Sequence, residues 1–497
     1  MQVVEFKNCS KCNYPIRVFY HKSYSMPLYD LFSDLRCQRH LMILGLLGFA
    51  VLYILRVNLS VAIVAMVGTG QKKKDDIIFK ESCPANEKDG TKETVFEGEI
   101  NWDEKACGEA LASFFYGYIL TNFAGGRLAD RLGGKRVFGF GVFLTSVLAF
   151  LLPAAARSSK ECFNIIRLFQ GMTEGVTFPS INSLMSSWVQ PSRRSLFMSR
   201  IAGGSLLGTV IIFPMGGWLA QTTFGWSSIF YTSGAIGLLW CVAWYHTVAD
   251  HPNDHPFVTE EEKLLILKEI GNDKSRDEAK SVPWGSIFTS LPFLATIVAH
   301  FGSNFGFYFL LTELPTYLST VHHFNMRNNG LISSLPYLFM WLFSVSYGSF
   351  IHYLTSKKIM PIYIARTMSN AIGMYVPMAL LICISYAGCS SGVAVSIICF
   401  AVSMSAATQC GYLCSFQELA PNYAGTLTGI SNTVASIPGF LAPIITSAII
   451  EGQPTIEQWN KIFMVASFIY FVTGTFNLLF MSSEVQPWNS WEQILEE

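Results

Sequence analysis

GRLADRLGGKR, residues 126–136, closes one long apolar run and opens the next, and a worn copy, GSFIHYLTSKK, stands at 348–358. Each begins with a glycine, carries a polar residue four positions on (Asp130, His352) and ends in a basic pair, Lys135–Arg136 and Lys357–Lys358. Working outward from the first copy, apolar runs fall near 41–67, 108–126, 137–156, 162–188, 199–221 and 228–248. Outward from the second they fall near 287–311, 328–350, 360–384, 391–414, 424–450 and 460–482. A membrane helix needs about 20 mainly apolar residues, so the pattern reads as six spans, a polar linker, then six more. Spans 108–126 and 162–188 hold polar residues in their interiors. The expected organisation is a tail (1–40), a first six-helix bundle (41–248, with a long loop at 68–107), a linker (249–286), a second bundle (287–482) and a tail (483–497).

Composition agrees. Charged residues are 14% of the 497 and apolar residues 51%, against about 25% charged in ordinary globular chains. Segments 1–40, 68–107 and 249–285 hold 40 of the 68 charges, leaving 28 for the other 380 residues. No soluble surface can be built from that. The chain reads as an all-α multi-pass membrane protein in a lipid bilayer, which excludes soluble enzymes, nucleic-acid binders and secreted disulfide scaffolds. Basic residues follow spans 2, 4 and 8 (Arg127, Arg131, Lys135 and Arg136; Arg193 and Arg194; Lys357 and Lys358), which puts those turns, both termini and the linker in the cytoplasm. Cys83 and Cys107 share the outer loop and could pair. Cys162, Cys241, Cys383, Cys399, Cys410 and Cys414 lie in or beside apolar runs, as small packing residues do. Cys9 and Cys12 have no second pair at zinc spacing, so no metal is expected. No Walker loop, His-Glu-x-x-His or Gly-x-Ser-x-Gly occurs, so ATP-driven pumping and the common hydrolase sites have no support.

Charges inside the spans are the functional signal, because a mid-membrane charge costs about 2.5–3.5 kcal/mol on insertion scales. Arg56 sits in span 1, Arg167 and Glu174 in span 4, and His300 in span 7. Arg167 and Glu174 are seven residues apart and share one helix face. They are too far apart along the axis for a direct ion pair but suited to flanking one cavity. An arginine fork suits a carboxylate or phosphate. A carboxyl or imidazole can load a coupling proton. The opposing reading pairs Arg56 with Glu174 as structural glue. Tyr53, Tyr116, Tyr308 and Asn304 flank these positions and are candidates for lining the cavity, with core packing the alternative for each. In the turn at 126–136, Gly126 and Gly133 allow close approach and tight turning, and Asp130, with Arg131 and Arg136 beside it, would brace adjacent helices. Glycines at 203, 204, 208, 425, 429 and 439 and prolines at 438 and 443 mark spans 5 and 11 for close packing or bending.

The 6 + 6 plan with an internal echo is similar to that of major facilitator transporters, and the 126–136 stretch resembles their loop 2–3 signature. More narrowly, RVNLSVAIV (56–64), SFFYGYI (113–119), QGMTEGVTFP (170–179), TELPTY (312–317), LAPNYAGTL (419–427) and EVQPW (484–488) resemble the anion transporters that include sialin, the vesicular glutamate transporters and the type I sodium–phosphate cotransporters. That resemblance covers about 41–488. It implies anion binding at Arg56, transport or proton coupling at Arg167, Glu174 and His300, and a gating brace at Gly126, Asp130, Arg131, Gly133 and Arg136. Three positions depart from it: Ser303 stands where the glutamate carriers have a second arginine, Leu111 where they have a histidine, and Gln170 where sialin has another glutamate. One cavity cation fewer disfavours a dicarboxylate.

The expectation is a secondary active transporter, working as a monomer, for a small organic or inorganic anion. Its coupling ion is H+, or Na+ if it is a sodium–phosphate carrier, and it needs no other cofactor. A potential-driven uniporter and a non-transporting receptor on the same scaffold are the rivals. The expected location is a lysosomal, vesicular or plasma membrane. Tyr29-Asp-Leu-Phe32 fits a Tyr-x-x-bulky sorting pattern, and Thr259-Glu-Glu-Glu begins a surface helix in the linker.

Overall fold

The computed structural model describes residues 36–67, 98–189, 191–270, 282–420, 423–450 and 454–489. Among these residues every regular element is a helix. Span 1 is α1 (Arg36–Val67), followed by α2 (Glu104–Leu132) and α3 (Gly134–Ser158). Span 4 is broken into α4 (Lys160–Gly175) and α5 (Thr177–Trp188). Then come α6 (Pro191–Leu219) and α7 (Ser227–Thr247), the linker helix α8 (Glu260–Ile270) and the short α9 (Trp284–Thr289). The second half begins with α10 (Leu291–Thr320), α11 (Met326–Ser356) and α12 (Ile362–Ile384). Span 10 is α13 (Ser391–Ser405), a 3-10 turn at Ala406–Cys410 and α14 (Tyr412–Leu419). Span 11 is α15 (Ala424–Ala435) and α16 (Ile437–Ile450), and α17 (Ile456–Phe480) is last.

Ten stretches are long and apolar enough to cross a membrane on hydropathy alone. The other two crossings are α2 and α4–α5, the pair whose interiors carry polar residues. Span 7 differs from the sequence expectation. It runs to Thr320 rather than 311, with Thr312, Glu313 and Pro315 all inside α10. The residues before Leu291 form α9, set off by Ser290.

Small residues set the closest approaches, as expected where lipid supplies no hydrophobic drive between helices. A β-carbon at Gly204 or Gly208 of α6 would strike the carbonyls of Leu46 or Ala50 on α1. Gly117 of α2 and Gly171 of α4 stand against each other's backbones in the same way. Gly203, Gly425 and Gly429 face open space.

Call the side that carries the linker the linker face. Among the described residues, the ring and glycine contacts that join the two halves lie away from it. Phe213 of α6 stacks on Tyr337 of α11 at 5.6 Å, and Gly217 packs on Gly330. Phe115 of α2 meets Tyr308 of α10 at 4.9 Å, and Tyr116 meets Phe440 of α16 at 4.9 Å. All these contacts lie between mid-membrane and the opposite face. The linker-side halves of the broken spans, α5 and α14, have their main packing within their own halves. Among the described residues the halves are thus joined chiefly on the side opposite the linker face.

Among the described residues, 249–270 of the linker are fastened to the first half. Glu262 of α8 accepts a hydrogen bond from the Cys37 backbone N–H at 2.7 Å, capping α1. Trp188 Nε1 donates to the Ala249 carbonyl at 2.9 Å, and its ring meets His255. Burial and the nearby positive groups Lys135 and His40 lower the affinity of His255 for a proton, while its bond to the Thr247 carbonyl opposes this. On the opposite face Glu99 pairs with Arg157 at 2.5 Å and accepts from Trp226 Nε1 at 2.9 Å. Also on that face, Cys389, in the turn after α12, is disulfide-bonded. Cys107 is in the thiol form, which overturns the Cys83–Cys107 pairing. The reason is local: Cys107 lies in the first turns of α2, half-buried against the apolar core. Cys83 lies outside the described residues, as do Cys9, Cys12 and Tyr29–Phe32.

Candidate functional site

Arg56 lies in the middle third of α1, 7% exposed. Its Nε donates to Glu174 Oε1 of α4 at 2.8 Å, and its terminal nitrogen is 2.5 Å from the same oxygen. The guanidinium also lies over three rings: Tyr53 at 4.7 Å, Tyr118 at 4.7 Å and Phe114 at 5.1 Å. Arginine is weakly hydrated and stacks on aromatic faces, so an aromatic collar compensates part of its lost hydration, each contact giving about 0.5–2 kcal/mol. Of these residues the sequence analysis singled out Tyr53 and not Phe114 or Tyr118. The missed signal is their spacing: 114 and 118 are one turn apart and share a face.

Tyr116, two residues from each, points roughly 200° away. It is half-exposed and packs on Phe440, at the contact between the halves. Tyr308 reaches the same contact from α10 through Phe115, within electrostatic reach of Arg56.

Arg167 does not touch Glu174. Its two terminal nitrogens donate to Gln170 Oε1 (3.1 Å), the Leu55 carbonyl (3.5 Å) and the Arg56 carbonyl (3.2 Å), and it shares the Phe114 ring. It thus holds the backbone of α1 on either side of the Arg56 Cα. Gln170 passes the link on to the Thr145 carbonyl of α3 at 3.1 Å. α4 stops one residue past Glu174, where Thr177 donates to the Glu174 carbonyl at 2.6 Å. Two charged atoms of this buried cluster have no hydrogen-bond partner among the described residues: Glu174 Oε2 and Arg167 Nε. An unmet buried polar atom costs about 1–3 kcal/mol, so the cluster has capacity left for a proton or a ligand. Its formal charge, two arginines and one glutamate, is +1.

His300 lies elsewhere. Its Nδ1 meets Ser431 Oγ of α15 at 2.9 Å and its ring stands 5.1 Å from Tyr412 of α14. Asn304 donates to the Ala435 carbonyl at 2.8 Å, where span 11 breaks. Ser303, which replaces a cation, faces Thr408 of the 3-10 turn at 3.4 Å. Spans 1 and 4 of the first half therefore meet through an ion pair, and the matching spans 7 and 10 meet through two hydroxyls. The structure brings together Tyr53, Arg56, Arg167 and Glu174 in one half and His300 and Asn304 in the other, with Tyr116 and Tyr308 between.

Of the turn residues, Gly133 has φ +92° and joins α2 to α3. Arg131 and Arg136 are exposed. The surroundings of Gly126 and the Asp130 side chain lie outside the described residues. The acid that caps α3 is Asp250, from the linker, which accepts from the Lys135 backbone N–H at 2.7 Å. A β-carbon at Gly133 would sit 2.5 Å from the Asp250 carboxylate. No sequence signal had marked Asp250.

A family model described as Major Facilitator Superfamily matches residues 91–443. The chain is 37% identical over 450 residues to a putative inorganic phosphate cotransporter of Drosophila ananassae, covering 89% of this chain and 92% of that one. It is 37% identical over 450 residues to human sialin, covering 90% of each. It is 35% identical over 454 residues to human vesicular glutamate transporter 2, covering 91% of this chain and 75% of that one. Among solved structures it superposes on a bacterial homolog of the human lysosomal transporter Spinster, inward-facing and unoccupied. The TM-score is 0.69 at 15% identity, covering 92% of this chain and all of that one.

Proposed function

Because the chain belongs to the major facilitator superfamily and is a multi-pass transporter rather than an enzyme, we propose that it moves a small carboxylate or phosphate anion together with a proton, by alternating access. The observation that carries this is the Arg56–Glu174 pair with its unpartnered carboxylate oxygen. Glu174 and an anionic substrate compete for one guanidinium. When Glu174 takes a proton on Oε2, its hold on Arg56 weakens and the fork is released to a substrate anion. When the anion leaves, the carboxylate ionises and returns to Arg56. Proton and anion therefore bind together, which is the condition for symport. Arg167 positions Arg56 through the α1 backbone, and Tyr53, Phe114 and Tyr118 keep the guanidinium in place while its partner changes.

The +1 charge of the cluster favours a monovalent anion over a dicarboxylate. The hydroxyl and amide groups of the second half (Ser303, Asn304, Thr408, Ser431) suit a neutral, hydrogen-bonding remainder. His300, bonded to Ser431, orients that group rather than serving Glu174. The disulfide at Cys389 supports placing the opposite face in an oxidising lumen or outside the cell. The linker face then meets the cytosol, in keeping with its basic turns. A pH gradient supplies about 1.4 kcal/mol per unit per proton, and a potential about 2.3 kcal/mol per net charge per 100 mV.

The test is uptake by proteoliposomes of radiolabelled phosphate, sialic acid, glutamate and urate under imposed pH, sodium or potential gradients, with Arg56→Ala and Glu174→Gln alongside. The expected result is pH-driven uptake of one anion, abolished by Arg56→Ala and uncoupled from pH by Glu174→Gln. Uptake that follows sodium and survives Glu174→Gln sinks the proton assignment and favours the phosphate-cotransporter relatives as the guide to mechanism.

A further inference from the structure

α10 carries a second buried acid, Glu313, 5% exposed. It lies in the seam between α10 and α17. Gly302 faces Thr473, Gly306 faces Tyr470, Phe309 meets Phe463 at 5.6 Å, and Tyr317 meets Trp459 and Phe463 at 5.2 and 5.3 Å. Steps of three and four residues join these positions, and Glu313 is four beyond Phe309 and four before Tyr317, so it belongs to the same stripe. A cavity lined by Gly306, Leu310, Tyr337, Ser405 and Tyr470, among others, reaches within one turn of it. Pro315, two residues on, breaks the helical bonding of α10 and provides a place to bend.

The neighbouring charges leave Glu313 alone. Among the described residues it joins no ion pair. On α10 itself the titratable groups are His300, Tyr308 and Tyr317, with His322 just beyond, bonded to the Tyr317 hydroxyl. α17 offers Tyr470, while its Glu457 and Lys461 pair with each other on the exposed side. α11 offers buried Tyr337 and, at its start, exposed Arg327. From α1 come Tyr53 and Arg56, the latter committed to Glu174, and from α14 come Tyr412 and Glu418, the latter committed to Arg366. α9, α15 and α16 carry no ionisable group. A carboxylate buried in such a seam without a cation is far costlier than the neutral acid.

We propose that Glu313 is a second proton-carrying group of the transport cycle. In the arrangement described, with the halves joined opposite the linker face, it holds its proton, and it exchanges that proton when that side opens and α10 bends at Pro315. The step is simple acid dissociation, one proton bound or released per cycle. It rests on the proton-coupled reading above and raises its coupling ratio from one proton to two, Glu174 carrying one and Glu313 the other.

Steady-state accumulation measures that ratio, because it is a thermodynamic quantity independent of how many molecules are active. In proteoliposomes clamped at zero potential, one pH unit sustains about a tenfold anion gradient per coupled proton. With the anion that wild type accumulates among phosphate, sialic acid, glutamate and urate, the expected gradient is about 100-fold for wild type and about tenfold for Glu313→Gln. Glu313→Asp, which keeps a titrating group, restores the wild-type value. An unchanged gradient in Glu313→Gln overturns the proposal. A wild type that accumulates nothing in response to pH overturns the proton-coupled reading as well. A gradient lost completely in Glu313→Gln but unchanged in Glu174→Gln keeps Glu313 and removes Glu174 as the carrier.

Discussion

At the residue scale the central fact is that Arg56 and Glu174 satisfy each other in a place where neither could stand alone. Removing one partner of a buried pair leaves an uncompensated charge and costs about 3–5 kcal/mol, whereas removing both can be nearly neutral. Arg56→Ala and Glu174→Ala should each destabilise the protein by that order, and the double variant should be more stable than either. Thermal unfolding in detergent reads this directly; additive losses would show that the two do not depend on each other. Arg56→Lys keeps the charge but loses both the fork and the stacking on Tyr53, Phe114 and Tyr118, so uptake should fall at least tenfold with expression unchanged. The pair was legible in the sequence because charges are conspicuous in apolar runs. Its collar was not, because in a chain where 14% of residues are aromatic a phenylalanine carries no mark of what it faces. Arg167 was legible as a charge but not in its use, since its partners are carbonyls of another helix and carbonyls have no sequence signature.

Among elements, glycine content marked span 5 for close approach, but it missed Gly117 and Gly171 of spans 2 and 4, and it did not tell which glycines make the contact. Gly203 and Gly204 are adjacent in the chain, yet only Gly204 faces the backbone of α1. Gly204→Ala should lower the folded yield sharply, by overpacking worth at least about 1–3 kcal/mol, while Gly203→Ala should be neutral. Size-exclusion profiles of the two variants decide it. The end of α3 makes a second case. There the Arg157 guanidinium, by hydrogen bonding, holds the Glu99 carboxyl below the usual carboxylate range, helped by Trp226. A depressed value in the folded state means that the latch stabilises the fold above the ordinary carboxylate range and is lost only as pH falls through the lowered value. It should therefore stay closed in a mildly acidic lumen. Trp226 fluorescence should change with a midpoint below about 4.3, the ordinary glutamate value, and Arg157→Gln should remove that transition. The reach of α10 to Thr320 was missed because the apolar run stops before Thr312 and Glu313; beyond it Pro315 stays inside the helix, and Asn329 donates to the Pro315 carbonyl.

For the whole molecule, the number of spans and the division into halves were readable from hydropathy and from the echo at 348–358, because a membrane forces helices to be long and apolar. The state of the molecule was not readable, since which ends of the halves touch is a matter of contacts between distant residues such as Gly217 and Gly330. Those two glycines hold the halves together on the side opposite the linker. Gly330→Leu should prop the halves apart there, lower the turnover of uptake several-fold and leave the thermal stability of each half nearly intact. Transport at the wild-type rate would show that this contact does not form during the cycle. The docking of the linker on the first half has a practical corollary for anyone who wishes to express the protein as two polypeptides. A cut after Val248 would strip the first fragment of the acids that cap α1 and α3, Glu262 and Asp250, and of the Trp188–Ala249 bond. A cut beyond Ile270 leaves all of these on the fragment that uses them. The gene is therefore best divided some twenty codons later than the last span of the first half would suggest.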